Sequence, residues 1–357
     1  MLRPSHRVQA YLYLEPVDMR KLINGLAALV ENELGLLTIA DCAAAKRWLA
    51  SAPITSAATQ KPPPHRALQV AFTATGLHRL GLAAEIIRQF SLEFTAGMSS
   101  DPNRSRRLGD TGHNAPQHWH WGCDAAVDHN GHAPHMMLMV YTLQGQLEST
   151  LDALQDASFA QAFVVEARLI AAHNRSKEPF GFEDGISQPL IDWEQTLSSD
   201  VHQRDSYANR VALGEILLGY RNEYGLYTER PLLDGDEYAA GQLLPQAEEQ
   251  NDRCDLGRNG TYLVFRQLEQ DVGGFWQFVD HQAGGDAGKR EALAAAMVGR
   301  QRDGTPLVET SAKPIDGIDT ANSKNHFTYD KDPTATAAPL APMCGAQTLA
   351  PVITPSG

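Results

Sequence analysis

Cysteine, positive charge and long apolar runs are all scarce in this sequence, and each shortage excludes something. The 357 residues hold four cysteines, Cys42, Cys123, Cys254 and Cys344, far apart and with no C-x-x-C pair. A chain this long does not need disulfide staples, so reduced thiols and a cytoplasmic location are expected. No uninterrupted apolar stretch approaches the roughly 18 residues of a membrane helix. The opening MLRPSHRVQAYLYLEP has no apolar h-region, so no secretory signal is expected. The formal net charge of −13 argues against nucleic acid or an anionic membrane surface as the main partner. There is no P-loop, no G-x-G-x-x-G after a strand, no G-x-S-x-G and no H-E-x-x-H.

What remains is a globular composition. Apolar residues make up 43% and charged residues 20%, enough for a real core and not for an intrinsically disordered chain. At roughly 100–200 residues per domain, about two domains are expected. Val8, Ala10, Leu12 and Leu14 alternate with polar or tyrosyl residues and predict a strand. Met19, Leu22, Ile23, Leu26 and Leu29 have helical spacing behind Asp18 as N-cap, and a second helix is expected over 40–49. Further strands are predicted at Leu68–Phe72, Met136–Tyr141 and Phe163–Leu169, with a helix marked by Leu147, Leu151 and Leu154. The last of these strands also admits a helix. Residues 99–134 read as a long, mostly irregular excursion.

The order is βαββαβ, a ferredoxin-like unit with a four-stranded antiparallel sheet and helices on one face, ending near Ile170. A second unit follows. Tyr262, Val264 and Arg266 predict a strand. Leu268, Val272, Phe275 and Val279 predict a helix, and Leu293, Ala296 and Met297 predict another that stops at Gly299. The tail after residue 337 has no periodicity and carries Pro339, Pro342, Pro351 and Pro355, so it is expected to be irregular and weakly packed. The expected division is 1–172 and 173–357, the second part incomplete after about 340.

Three constellations could carry chemistry. GFEDGISQP, Gly181–Pro189, brackets Glu183 and Asp184 with glycines that allow a tight turn and close backbone approach to a ligand. A buried carboxylate there would be tuned for proton transfer; a plain turn with solvent-facing acids fits the same residues. His113, His118, His120, His129, His132 and His135 cluster around Cys123, which raises zinc or copper binding, although the spacing fits no familiar zinc pattern and Trp119 and Trp121 point to packing. Arg266, in the apolar YLVFRQLEQD, needs a buried partner or ligand, a structural salt bridge being the simpler role.

The segment NRSKEPFGFEDGISQP resembles the G-x-x-D-G motif of the dye-decolourising (DyP-type) haem peroxidases. ALQVAFTATGLHRLGL, EFTAGMSS, LGDTGHNAPQHWHWG, NEYGLYTERPLL and DLGRNGTYLVFRQLEQDVGGFWQF resemble family segments in family order, from about residue 5 to about residue 340. The resemblance implies an α+β fold of two ferredoxin-like units with antiparallel sheets. It implies haem b as cofactor and H2O2-dependent one-electron oxidation of organic substrates such as dyes. Hydrogen peroxide and an organic reductant are then the partners, without nucleic acid or membrane; a homo-oligomer stays open. Asp184 matches the distal acid–base residue, which moves a proton from one peroxide oxygen to the other. Gly181, Phe182, Glu183, Gly185 and Ile186 then lie against the cofactor. The family's second strong feature, a stretch like C-P-L-G-A-H-x-R-R-A-N-P-R, supplies the proximal histidine, with the distal arginine further on.

Here the sequence departs. The ligand position, near Met343, has no histidine, and the distal arginine is not found; Arg266 does not match it by position. His326 and His173 do not match the ligand position either. Read in a shifted frame from the last base of the Pro342 codon, the following codons can encode H-V-R-R-A-N-P-R, a family match. A single-base loss near Ala341 would explain the tail. No metal ligand is therefore assigned. The competing expectations are a non-enzymatic truncated or frameshifted relative and, more remotely, a protein that binds metal through the histidine cluster.

Overall fold

In a computed structural model, residues 31–55, 65–123, 134–170, 177–186, 190–196, 210–235, 244–308 and 324 are described. The chain divides into two compact units. One joins Met1–Ala172 to Leu213–Val264, and the other joins His173–Ala212 to Phe265–Gly357.

The first unit is built on a four-stranded sheet. Its strands are β1 (Glu31–Ile39), β2 (Arg66–Phe72), β3 (Met136–Thr142) and β4 (Phe163–Ile170), in the order β2-β3-β1-β4. Every neighbouring pair is antiparallel. That order, with both chain-distant strands brought beside β1, is the one a βαββαβ unit produces. Helix α1 (Cys42–Ser51) follows β1. Short helices α2 (Ala74–Arg79), α3 (Ala84–Ile87), α4 (Leu92–Ala96) and α5 (Pro102–Leu108) occupy the connection after β2. Helices α6 (Leu147–Leu154) and α7 (Ala157–Ala162) lead into β4.

The core explains the sheet. Leu37 and Ile39 of β1, Met136, Leu138 and Val140 of β3, Leu68 of β2 and Phe163 of β4 bury one face against α1, α6 and α7. Asp41 caps α1 by accepting a hydrogen bond from the Ala44 N–H. Trp48 then meets Phe159 and Phe163 edge-on at 5.3 and 5.4 Å, and its indole N–H donates to the Leu154 carbonyl. Each such large side chain contributes about 1.5–3 kcal/mol by leaving water. His135, just before β3, accepts a hydrogen bond at Nδ1 from the Ile39 N–H, 3.0 Å away.

The first predicted strand, Val8–Leu14, and the Met19–Leu29 helix lie outside the described residues. The strand observed at the head of the sheet is Glu31–Ile39, which the alternation rule passes over. ENELGLLTI opens on two acids and has a central glycine, and a bulge between Leu36 and Leu37 against β4 breaks its alternation. Pairing with two neighbours decides its conformation, as context does for strands generally. The other three predicted strands coincide with β2, β3 and β4.

The same unit includes a short antiparallel pair, β7 (Leu232–Asp234) with β8 (Arg253–Asp255). Buried Arg230 fastens this region: its Nε donates to Asp255 at 2.7 Å, and its other nitrogens reach Glu249. Asp255 is fully buried, and its second oxygen accepts from the Gly257 N–H.

In the second unit the described residues hold a parallel two-strand ladder, β5 (Leu190–Asp192) with β6 (Arg210–Ala212), and two helices, α8 (Val272–Gln282) and α9 (Ala287–Val298). Two expectations need correction. Tyr262–Arg266 lies in no strand: period-two alternation fits any extended chain, but a strand also needs a ladder, and among the described residues none forms here. The first helix starts at Val272 rather than Leu268, because Asp271 caps it by accepting from the Gly274 N–H at 2.7 Å. The predicted stop at Gly299 is observed, with that residue in the left-handed conformation.

Candidate active site: the Phe180–Ile186 loop

The alternation in PFGFEDGI sets which side chains turn inward. Phe180 and Phe182 are buried with Phe275 and Val279 of α8 and Ala294 of α9, and Val272, Trp276 and Leu293 pack against that cluster. Phe180 lies 4.8 Å from Phe275, ring centre to ring centre, and Phe182 stacks nearly parallel to Trp276 at 6.3 Å. The alternation ends there: Glu183 is half-buried and Asp184 is exposed.

Glu178 shapes the turn. Its carboxylate accepts from the Phe180 N–H at 2.8 Å and from the Phe182 N–H at 2.7 Å. The backbone closes on itself as well, the Glu178 N–H donating to the Phe182 carbonyl and the Gly181 N–H to the Glu178 carbonyl. Gly181 has φ +97°, and a Cβ there would lie 3.1 Å from an Arg302 guanidinium nitrogen. Only glycine suits that combination of conformation and space.

The two acids are treated differently. Glu183 is half-buried. Its N–H donates to the Arg302 carbonyl at 3.1 Å, and its carboxylate lies 3.8 Å from Lys324 Nζ. Asp184 is exposed, its Oδ1 accepting from the Gly185 N–H at 2.7 Å. Among the described residues no cation lies against it. Of the two readings of this segment, the plain turn with a solvent-facing acid is the one observed at Asp184. Ile186 is half-buried against Gly304, where a Cβ would fall 2.0 Å from its Cδ1. Gly304 has φ +81° and sits in a turn in which Arg300 reaches the Gly304 carbonyl and Gln301 pairs with Thr305.

Three residues around this loop escape a sequence reading. Arg302 lies over the Trp276 ring at 4.0 Å and makes two hydrogen bonds to Glu291, at 2.6 and 3.0 Å. The hydrogen bond from Arg302 holds the Glu291 carboxyl below its usual value. Trp276 donates its indole N–H to the Phe180 carbonyl. The only advance signal was the local spacing Arg302-x-Gly304, which marks a turn but not what the turn touches.

The remaining candidates do not converge. His113, His118 and His120 are exposed, His129 and His132 lie outside the described residues, and among the described residues no group of three potential ligands comes together. Arg266 is half-buried in an irregular segment rather than buried in a strand. Among the described residues Cys42 and Cys254 form no disulfide. No described helix is long and apolar enough to cross a membrane.

For haem, the described residues fit one side and not the other. The loop offers the exposed carboxylate of Asp184, one oxygen of which accepts from the Gly185 N–H, beside an aromatic base. No described residue of the second unit offers an axial ligand: His281 is its one described histidine, and it is solvent-facing on α8. The position near Met343 lies outside the described residues, as does the rest of the tail after Lys324.

No family model matches the chain. It is 27% identical over 307 residues to Peroxidase 2 of Mycetinis scorodonius, covering 82% of this chain and 51% of that protein. It is 28% identical over 303 residues to a dye-decolorizing peroxidase of Auricularia auricula-judae, covering 82% of this chain and 50% of that one. The chain thus spans about half the length of these curated relatives. Among solved structures, an ancestral D-type dye-decolorizing peroxidase aligns with a TM-score of 0.57 at 23% identity, over 85% of this chain and 61% of its own. A dye-decolorizing peroxidase in complex with 2,6-dimethoxyphenol aligns with a TM-score of 0.57 at 22% identity, over 85% and 63%. The sequence relatives are peroxidases, most of them named dye-decolorizing, and the chain shares the fold of dye-decolorizing peroxidases of known structure.

Proposed function

We propose that the chain carries the peroxide-handling part of a DyP-type haem peroxidase, an oxidoreductase that uses hydrogen peroxide to oxidise organic substrates such as dyes by one electron at a time. The observation that carries this reading is the Phe180–Ile186 loop: two buried phenylalanines, a glycine turn and an exposed carboxylate on Asp184. The curated relatives, which are peroxidases, support it. In this reading Asp184 takes a proton from one peroxide oxygen and returns it to the other, and Gly181, Phe182, Glu183, Gly185 and Ile186 would lie against the cofactor. A carboxylate is suited to that exchange because it can accept and release a proton without leaving its position. Haem b would be the cofactor, and a cytoplasmic location follows from the cysteine usage.

The same reading makes this particular sequence a poor holoenzyme. Met343 stands where the family resemblance calls for the iron-bonding histidine, and no described residue replaces it. The chain as written should bind haem weakly and oxidise dyes slowly. Restoring one base ahead of Met343 should return the histidine and the downstream arginines together.

The test is a paired measurement on the frame-restored protein loaded with haem. Asp184→Asn should leave haem bound, with an unchanged Soret band, and slow the reaction with peroxide about a hundredfold or more. An unchanged rate would remove Asp184 from the chemistry. The non-enzymatic reading is favoured if restoring the frame returns neither the spectrum nor the activity.

A further inference from the structure

We propose that Arg302 is a positioning residue for the Asp184 loop, a clamp that ties the loop to both helices of the second unit. The inference rests on the reading of Asp184 as a proton carrier, and it names what holds that carrier still.

Arg302 meets the loop and its surroundings at several points. Its carbonyl accepts the Glu183 N–H, the residue directly before Asp184, and also faces Lys177 Nζ, which bridges to the Gly181 carbonyl. Its guanidinium carbon lies over the Trp276 ring of α8, 4.0 Å from the ring centre, and Trp276 in turn stacks on Phe182. Its Nε and Nη2 engage both oxygens of Glu291 on α9, at 2.6 and 3.0 Å. One side chain therefore joins α8 and α9, while its own backbone holds the loop.

The geometry needs a guanidinium. A planar, delocalised cation can stack on an indole and still present a fork of N–H groups to a carboxylate, whereas a lysine ammonium can serve only as a point charge. An ion pair this exposed contributes little to global stability by itself. The pair's side chains are 41% and 39% exposed, so the value of the arrangement lies in where it fixes the loop. Loop precision matters for a proton carrier, because a displacement near 1 Å at a reacting group can cost on the order of a hundredfold in rate.

The experiment is amide hydrogen exchange on the full apo chain, read by peptide mass spectrometry, so it does not depend on cofactor or activity. Arg302→Ala should accelerate exchange in 178–186 by about tenfold and leave the sheet of the first unit unchanged. Arg302→Lys, which keeps the charge but not the planar guanidinium, should recover part of the protection. Arg302→Met, which keeps the length but not the charge, should recover none. A merely space-filling residue would show the reverse order. Loss of the stack should also change the Trp276 emission, identified by subtracting Trp276→Phe. Unchanged exchange in 178–186 overturns the proposal.

If Arg302→Ala also accelerates exchange through α8 and α9, Glu291→Gln decides. Faster exchange confined to 178–186 in that variant upholds the clamp, and unchanged or general exchange overturns it. Asp184→Asn separates this proposal from the reading it rests on. That variant keeps the clamp intact and should retain native exchange in the loop. If it leaves the peroxide reaction unchanged while Arg302→Ala loosens the loop, the acid–base reading falls and the clamp stands.

Discussion

The β1–β4 sheet of the first unit and the Phe180–Ile186 loop of the second are held by different forces. The sheet is an apolar structure: Leu37, Ile39, Leu68, Met136, Leu138, Val140 and Phe163 leave water together, and the helices close over them. The loop has a small aromatic base, and the rest of its order comes from directed polar contacts by Glu178, Arg302 and Lys177. Burial is cooperative and tolerant of direction, so it suits a scaffold. Polar contacts are individually weak but fix atoms in place, so they suit a site that must present one carboxylate. The difference is open to test, and the expected effects below run from the largest to the smallest.

The largest loss of stability should come from the sheet. Trp48→Ala removes the ring that meets Phe159 and Phe163 and should cost about 3–5 kcal/mol, read as a lower denaturant midpoint. A loss below about 1 kcal/mol would mean that the apolar contacts are not what holds this region. In the loop the comparable variant is Glu178→Ala. It leaves the Phe180 and Phe182 N–H groups without their acceptor and should cost about 1–3 kcal/mol. The increase in amide exchange should stay within 178–186. Equal loosening of the β1–β4 sheet would break the distinction drawn between the two regions.

A smaller effect is pH-dependent. Burial, and then the nearby Arg79 charge, hold His135 below the usual histidine value of 6.5. Its neutral Nδ1 accepts from Ile39, so the folded state resists protonation. The unfolded chain therefore binds the proton first as pH falls. The stabilisation is complete above about 6.5 and is lost as pH falls from there toward the lowered folded value. Glu33 opposes this trend at more acid pH, since burial raises its carboxyl above 4.5 and protonation then favours the folded state. His135→Gln should flatten the slope between pH 6.5 and the lowered value while leaving the more acid behaviour intact. A slope unchanged by that substitution would place the titration elsewhere. Smallest of all, Asp184→Asn should change stability by no more than about 0.5 kcal/mol, because the side chain is exposed and its one local partner is its neighbour's N–H.

Strands β2, β3 and β4 were legible because their apolar residues alternate or run continuously and their ends carry turn residues. β1 was not, because its glycine, its acids and its bulge hide a strand that only its two neighbours impose. Helix α9 was legible from Leu293, Met297 and the stop at Gly299, whereas α8 was placed one turn early because Leu268 continued the apolar spacing past the Asp271 cap. At the site, the GFEDG segment stood out as glycines around two acids. What could not be read was which acid is tied and which is free, since that depends on Arg302 and Lys324, over a hundred residues downstream. The clamp was invisible for the same reason: Arg302, Glu291 and Trp276 carry no local pattern and acquire meaning only when α8, α9 and the loop are packed.

The central proposal is that Asp184 is a peroxidase-type proton carrier in a sequence that has no histidine at the position near Met343. It is tested most directly by titrating the purified 357-residue chain, free of any histidine tag, with haemin, and recording its absorption spectrum and its peroxide-dependent dye oxidation. The same titration of the frame-restored protein serves as the reference. The account predicts a weak, non-histidine spectrum and little dye oxidation for the chain as written, and a sharp histidine-ligated Soret band with dye oxidation for the restored one. A histidine-ligated spectrum with full dye oxidation from the chain as written would contradict it.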